Sequence, residues 1–256
     1  VDAEGIAEAA ADEGLGGAAA VLALPGALRL LVAGRTNAGK STLVNTLLGG
    51  LHADVDVRPS TKAFEGYELR EHGSPAAYLI DSPGLDDESA IEELTKRAFV
   101  CDLILWVVPA DVENRALDAK ALGAMRARFA EEPQRRMPPV VIVASHVDRV
   151  AGIGDWAPPY NVESPSTPAE RAIRTRLDAI AADLEIDIDR VVPMRLDGAE
   201  PYNVDLLRFR LAGLFGDAQR ARWIRIQREA TSKRSWRRTW KQLTGAGRMV
   251  GELVKP

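Results

Sequence analysis

This sequence of 256 residues has one cysteine, no long apolar run and no stretch with the pattern of a signal peptide. Because Cys101 has no second cysteine to pair with, no disulfide can form within the chain, as is typical of a reducing compartment. No run reaches the roughly 18 apolar residues of a transmembrane helix, so no bilayer span is predicted. The acidic start, VDAEGIAEAAADEG, lacks the basic and apolar regions of a secretory signal. We therefore expect a cytoplasmic location, and the missing initial Met leaves a longer parent protein open.

The net charge of −4 is unevenly distributed along the chain. Residues 217–256 carry a net charge of +8, and the remainder carries −12. Within this tail, Trp236, Trp240 and Leu243 share one helical face, and basic residues surround them. Such a helix is typical of segments that bind an anionic membrane surface, which would place the protein at the inner face of the membrane. Binding to RNA, or packing of the tryptophans onto protein, stays open as an alternative.

Apolar segments of strand length alternate with segments of helical periodicity along residues 26–216. This alternation predicts an α/β fold, namely a doubly wound, mostly parallel sheet of about six strands flanked by helices. The segments FEGYELR and AAYLID are expected to pair as a hairpin. We therefore divide the chain into an N-terminal extension (1–25), a main domain (26–216) and a basic helical tail (217–256).

The segment GRTNAGKST (34–42) matches G-x-x-x-x-G-K-[ST], the pattern of a phosphate-binding loop between a strand and a helix. Its glycines allow backbone turns that bring N–H groups towards a phosphate. Lys40, which we expect to be largely exposed, supplies positive charge to the β- and γ-phosphates, and the Ser41 hydroxyl is placed to ligate Mg²⁺. The candidate nucleotide-binding residues of this loop are Gly34, Asn37, Ala38, Gly39, Lys40, Ser41 and Thr42.

Two further segments offer groups for the same phosphates and metal. In DSPG, which follows a predicted strand, the Asp81 carboxylate is a candidate Mg²⁺ ligand, and the Gly84 amide is placed to bind the γ-phosphate. In RPSTKAF, Thr61 lies in a predicted loop and could close over Mg²⁺ when a γ-phosphate is present. The predicted magnesium ligands are therefore Ser41, Thr61 and Asp81.

The segment SHVD follows the predicted strand VVIVA, and it predicts recognition of the base. The Asp148 carboxylate can accept hydrogen bonds from both N1–H and N2–H of guanine, whereas adenine offers neither donor. Ser145 and His146 are candidate neighbours of the base, and the backbone of Met194 and Arg195 in PMRLDG is a candidate donor to guanine O6. The alternative is that Ser145 and Asp148 only cap the next loop.

These motifs, in this order and spacing, resemble the Era/MnmE-like branch of the P-loop GTPases (TRAFAC class), over Leu28–Phe215. The resemblance implies a GTP switch with slow, Mg²⁺-dependent hydrolysis. In that branch the Asn of the loop helps bind K⁺ beside the phosphates, and Asn37 falls at that position. Where Ras-like switches have a water-orienting Gln, this chain has Leu85. The resemblance thus implies potassium assistance, with catalytic roles for Lys40, Asn37, Thr61 and Gly84.

Several departures from that pattern keep other functions open. His146 stands where the family has Lys, and Ser145 stands where it has Asn or Thr, so we expect weak, rapidly exchanging nucleotide. The loop DWAPPY resembles a bacterial subset of these GTPases that is often attached to membranes. One alternative is a non-hydrolysing guanine-nucleotide-binding interaction module, and another is an RNA-associated assembly GTPase. We also expect that the chain can form a homodimer that depends on bound nucleotide.

Overall fold

The computed structural model describes residues 28–49, 64–71, 74–132, 136–197 and 200–216. The predicted extension (1–25), Thr61 and the basic tail (217–256) lie outside these residues, so their predictions stay predictions. None of the helices in the described part of the chain has the length and apolar character needed to cross a bilayer.

The described strands form one six-stranded sheet in the order β2-β3-β1-β4-β5-β6. β2 pairs antiparallel with β3, as the hairpin prediction requires, and all other neighbours are parallel. The strands are β1 (Leu28–Gly34), β2 (Glu65–Glu71), β3 (Ser74–Asp81), β4 (Leu103–Pro109), β5 (Val140–Ser145) and β6 (Val191–Pro193).

Helices cover both faces of this sheet. They are α1 (Lys40–Leu47), α2 (Ser89–Ala98), α3 (Ala116–Ala130), α4 (Pro168–Asp183) and α5 (Val204–Leu214). Each follows an apolar periodicity of about 3.6 residues, as in α2, where Ile91, Leu94 and Ala98 are buried. The predicted doubly wound fold is confirmed.

The central strands are apolar throughout because both of their faces are covered. In β4, Ile104 and Trp106 pack in the core cluster that contains apolar residues of α2, α3 and α4. Leu103 and Leu105 pack in the second cluster, with residues of α1 and α5. A strand between two helical layers therefore shows a continuous apolar run and not an alternating one.

The topology gathers the predicted motifs at one edge of the sheet. β1, β3, β5 and β6 run parallel, so their carboxyl ends lie at the same edge. These ends lead into GRTNAGKST, DSPG, SHVD and PMRLDG. Ligands of doubly wound sheets bind beyond this edge.

Candidate nucleotide-binding site

The loop between β1 and α1 depends on glycine at both of its ends. Gly34 has φ of 138°, and a Cβ on it would lie 2.2 Å from the carbonyl oxygen of Val107 in β4. Gly39 has φ of 96° and caps the start of α1, where its carbonyl accepts a hydrogen bond from the Leu43 amide. Other residues would strain the backbone here, so the loop geometry follows directly from the two glycines.

Lys40 differs from the expectation that it would be largely exposed. Lys40 is only 7% exposed to solvent, and its Nζ donates a hydrogen bond to the carbonyl of Arg35 at 2.9 Å. The side chain folds back over the loop because this carbonyl satisfies an ammonium that would otherwise be desolvated. Burial lowers the pKa of Lys40, and the carboxylates of Asp81, Asp86 and Asp118 oppose that shift.

Ser41 and Asp81 meet where α1 and β3 approach each other. Ser41 Oγ donates to Asp81 Oδ2 at 2.7 Å, while Asp81 Oδ1 is buried without a hydrogen-bond partner among the described residues. Burial raises the pKa of Asp81 to about 6, against the hydrogen bond from Ser41 and the charge of Lys40. A hydroxyl and an unpaired carboxylate oxygen are hard oxygen donors, so this pair fits Mg²⁺.

The described residues contain no cluster of three or more His, Cys, Asp or Glu side chains that could hold a metal. In nucleotide sites Mg²⁺ is usually held by one or two side chains together with substrate phosphates and water.

The DSPG turn packs against the phosphate-binding loop. The Leu85 amide donates to the Gly34 carbonyl at 3.1 Å, and a Cβ on Gly84 would lie 1.7 Å from Thr36 Oγ1. Only glycine fits at position 84 with this spacing. The Leu85 side chain is 1% exposed and packs in the apolar core, so it points away from the loop.

A buried carboxylate that sequence reasoning missed also holds the loop. Asp118 of α3 is fully buried; its Oδ2 lies 2.9 Å from Arg35 Nε, and its Oδ1 accepts from the Trp106 indole at 3.0 Å. Burial raises the pKa of Asp118, and the Trp106 hydrogen bond and the Arg35 charge oppose that shift. The sequence did contain one signal for this contact. Asp118 lies on the apolar face of a predicted helix, and a buried carboxylate there requires a partner.

The Ser145 side chain, a predicted neighbour of the base, makes its contact inside the fold. It is fully buried, and its Oγ donates to the Ala38 carbonyl at 2.7 Å. The hydroxyl therefore ties the end of β5 to the phosphate-binding loop. The Ser145 side chain has no exposed surface in this structure, and its contact with nucleotide stays a prediction.

Asp148 lies in the short 3₁₀ turn Val147–Arg149 that follows β5. Its Oδ2 is 3.7 Å from Arg195 Nε, and its Oδ1 is buried without a hydrogen-bond partner among the described residues. A buried carboxylate oxygen without a donor is costly unless a ligand completes it. This oxygen of Asp148 is therefore available as an acceptor, and its contact with guanine stays a prediction.

The remaining predicted base contacts divide into two groups. Met194 is fully buried, and its amide donates to the Ala144 carbonyl at 2.8 Å, so donation to guanine O6 stays a prediction for this segment. His146 has φ of 53°, and its Nδ1 lies 3.8 Å from Asp111 Oδ1. Burial, followed by the charge of Arg149, lowers the pKa of His146.

The long segment between Asp148 and α4 folds onto the base side of the site. Trp156 contacts Tyr202 edge-on with centroids 5.3 Å apart, and the guanidinium of Arg195 lies 5.7 Å from the Trp156 ring centroid. The segment ends in a capping box, in which Thr167 accepts from the Glu170 amide and Glu170 accepts from the Thr167 amide. The sequence predicted a loop here, but its aromatic contacts were not foreseen.

Asn37 and Thr42 lie on the open side of the loop and of α1. Asn37 is exposed and has φ of 62°, a conformation that Asn tolerates better than most residues. Thr42 is partly exposed in the first turn of α1. Both side chains are therefore accessible to a ligand at the helix N-terminus.

Sequence comparison with known proteins finds matches to GTPases over the segment that forms the phosphate end of this site. The sequence model of the family described as 50S ribosome-binding GTPase matches residues 29–145. GTPase Der of Desulfitobacterium hafniense (strain DSM 10664 / DCB-2) is 38% identical over 95 residues, which cover 37% of this chain and 22% of Der. The tRNA modification GTPase MnmE of Halorhodospira halophila is 31% identical over 137 residues, which cover 50% of this chain and 27% of MnmE.

This chain thus spans about a quarter of the length of these curated relatives. Among solved structures, Era in complex with MgGDPNP and nucleotides 1506–1542 of 16S ribosomal RNA matches with a TM-score of 0.50 and 20% identity. The match covers 75% of this chain and 57% of that chain, and it supports the fold. The matched segment, 29–145, contains both the phosphate-binding loop and DSPG, and over this segment the chain is similar to the 50S ribosome-binding GTPase family and distantly similar to Der and MnmE.

Proposed function

We propose that this chain binds GTP and slowly hydrolyses it to GDP and phosphate with Mg²⁺, as a conformational switch. The observation that carries the proposal is the pair of buried, unpartnered carboxylate oxygens, Asp81 Oδ1 and Asp148 Oδ1, at one edge of the sheet. One lies beside the Ser41 hydroxyl and the other lies at the base side. A nucleotide with its metal ion would complete both.

At the phosphate end, the roles follow from charge and position. Lys40 exchanges the Arg35 carbonyl for the β- and γ-phosphates, and the N–H groups at the start of α1 bind the β-phosphate. Ser41 and Asp81 hold Mg²⁺, which supplies positive charge to the phosphate oxygens. Thr61 and Gly84 are the proposed sensors of the γ-phosphate.

Hydrolysis transfers the γ-phosphoryl group to water. The water oxygen forms a bond to the γ-phosphorus, the bond to the β,γ-bridging oxygen breaks, and a water proton ends on the released phosphate. Positioning and charge neutralisation supply most of the rate enhancement for such transfers. The described residues near Lys40 provide charge and hydrogen bonds, and a strong general base is not required.

At the base end, Asp148 gives specificity for guanine. Its unpartnered oxygen can accept one base donor, and Oδ2 can accept a second once Arg195 moves aside. Adenine would leave the carboxylate unpaired, so ATP is rejected. Arg195 and His146 line this end, while Ser145 and Met194 support it from within the fold.

We also propose that K⁺ assists the reaction through Asn37. Leu85 is buried in the core, so another group must neutralise the charge that develops between the β- and γ-phosphates. The exposed Asn37 offers a neutral carbonyl oxygen beside Lys40, which suits a large monovalent cation. A nucleotide-dependent homodimer would close the segment containing Thr61 over this ion.

The basic tail is the proposed membrane partner of the switch. Each Lys or Arg near an anionic surface contributes about 1 kcal/mol, and residues 217–256 have a net charge of +8. Sedimentation of the intact chain with phosphatidylserine vesicles should therefore fall with salt and be lost when residues 230–256 are deleted. Binding to RNA but not to vesicles would favour the RNA-associated alternative.

The test of the central proposal is phosphate release from GTP with Mg²⁺. We expect release above the rate without protein, and loss of release on adding a chelator. If guanine nucleotides bind but no phosphate appears, the alternative of a non-hydrolysing interaction module is correct. The burial of Leu85 is the observation that favours this alternative.

A further inference from the structure

Thr36 is the second variable residue of the phosphate-binding loop, and no contact within the fold accounts for its hydroxyl group. Its Oγ1 is buried and has no hydrogen-bond partner among the described residues. A threonine hydroxyl usually finds an acceptor when it is buried, because an unsatisfied polar group costs about 1–3 kcal/mol. The Thr36 hydroxyl therefore keeps its donor and acceptor positions available to a ligand.

The Thr36 hydroxyl lies beside the DSPG turn. Arg35 is held on one side by the ion pair with Asp118, and Asn37 has a left-handed backbone conformation on the other. Between them, Thr36 Oγ1 faces Gly84, close enough that a Cβ on Gly84 would lie 1.7 Å away. The hydroxyl thus lies against the glycine whose amide is the proposed contact of the γ-phosphate.

The DSPG turn provides no side chain at position 85 that could contact the γ-phosphate or the attacking water. Leu85, directly after Gly84, packs in the core with its amide bound to the Gly34 carbonyl. It cannot contact a water molecule at the γ-phosphate without leaving the core. The Thr36 hydroxyl lies on the loop side of this turn and can both donate and accept hydrogen bonds.

We propose that Thr36 is a further catalytic residue, whose hydroxyl hydrogen-bonds the γ-phosphoryl group during its transfer to water. This role rests on the proposed function, and it supplies a hydrogen bond to the transferred group that the buried Leu85 side chain cannot make. The water oxygen bonds to the γ-phosphorus, GDP leaves with the bridging oxygen, and the proton of the water passes to the released phosphate. Thr36 donates to a phosphate oxygen throughout and is not consumed.

The experiment compares Thr36→Val, which keeps the shape and removes the hydroxyl, with Thr36→Ser, which restores it. Thr46→Val is the matched control, because the Thr46 hydroxyl donates to the Thr42 carbonyl within α1, outside the loop. For each chain, kcat and KM for GTP and the Kd for GDP are measured. We expect kcat of Thr36→Val to fall by about 10- to 100-fold, the usual effect of losing one hydrogen bond to a charged group.

Three results separate this role from others. Unchanged GDP affinity with a reduced kcat, restored in Thr36→Ser and absent from Thr46→Val, supports the proposal, because GDP lacks the γ-phosphate. A Thr36→Val chain that hydrolyses GTP at the wild-type rate, or loses GDP affinity in proportion, overturns it and leaves the GTPase proposal intact. A wild-type chain that binds GTP without releasing phosphate refutes hydrolysis itself, and this role with it.

Discussion

The phosphate end of the site is built mainly from one continuous segment, whereas its base end is built from side chains of separate segments. Gly34, Gly39, Lys40 and Ser41 all belong to the loop and the start of α1, and distant residues such as Asp81 and Asp118 contact this segment. At the base end, Asp148 follows β5, Arg195 follows β6, and Trp156 comes from the long segment between them.

This difference explains why one end follows the family pattern and the other departs from it. The loop geometry requires glycine at positions 34 and 39, so few sequences satisfy it. At the base end, several side-chain combinations can present one carboxylate to guanine. His146 and Ser145 can therefore replace the usual residues as long as Asp148 keeps an unpaired oxygen.

The largest expected effect is at the phosphate end. In Lys40→Ala, GTP hydrolysis should fall below detection, because the positive charge on the β- and γ-phosphates is lost. The measurement is phosphate release together with GTP affinity. The matched control is Lys120→Ala, which removes an exposed lysine that pairs with Glu88 on the surface and should leave both quantities unchanged. Wild-type turnover in Lys40→Ala would contradict the phosphate-loop assignment.

At the base end, Asp148→Asn should lower GTP affinity by about 100-fold, through loss of two hydrogen bonds to a charged acceptor. It should favour XTP, because xanthine carries a carbonyl where guanine carries its amino group. Competition between GTP and XTP measures the change. Asp197→Asn is the control, since Asp197 also lies 3.7 Å from Arg195 but is about half exposed. Full preference for GTP in Asp148→Asn would show that guanine is recognised elsewhere.

A smaller effect is expected from the cation at the phosphate end. Hydrolysis should be about tenfold faster in K⁺ than in Na⁺ at equal ionic strength, well below the roughly 10³–10⁵ of an arginine finger. Asn37→Ala should remove the difference without changing GDP affinity. The rates are measured across protein concentrations, because dimer formation would close the site. Equal rates in both salts at every concentration would rule out this role of Asn37.

The smallest effect tests the anchoring of the base-end segment. Thr167→Ala removes the hydroxyl that accepts from the Glu170 amide at the start of α4. The free energy of unfolding should fall by about 1 kcal/mol, the usual cost of losing an N-cap. Urea denaturation measures it, and Thr167→Ser should retain the cap. An equal loss in both variants would mean that the hydroxyl does not stabilise this helix.

The fold could be predicted from the sequence because the signals are strong and local. Buried strands such as VVIVA show continuous apolar runs, and α2 shows helical periodicity. The loop after β1 was predicted because its glycine and lysine spacing has few other uses. The motif order then placed Asp81 and Asp148 at the same edge of the sheet.

The remaining details depend on contacts between residues far apart in the chain. Asp118 lies 83 residues after its partner Arg35 in the printed sequence, and no local pattern joins the two. The Ser145 hydroxyl donates to the Ala38 carbonyl, which lies 107 residues earlier in the chain. This supporting contact could therefore not be predicted from the local sequence either. Lys40 was expected to be exposed because its backbone contact in the folded loop could not be foreseen.

The most direct test of the account is parallel titration of the wild-type chain with GTP, GDP and ATP in the presence of Mg²⁺. The phosphate end alone would bind any of the three, whereas Asp148 at the base end would exclude adenine. We predict measurable Kd values for GTP and GDP and an ATP affinity lower by about 100-fold or more. Equal affinity for ATP and GTP would contradict the assignment of the base end, and no binding of any nucleotide would contradict the account as a whole.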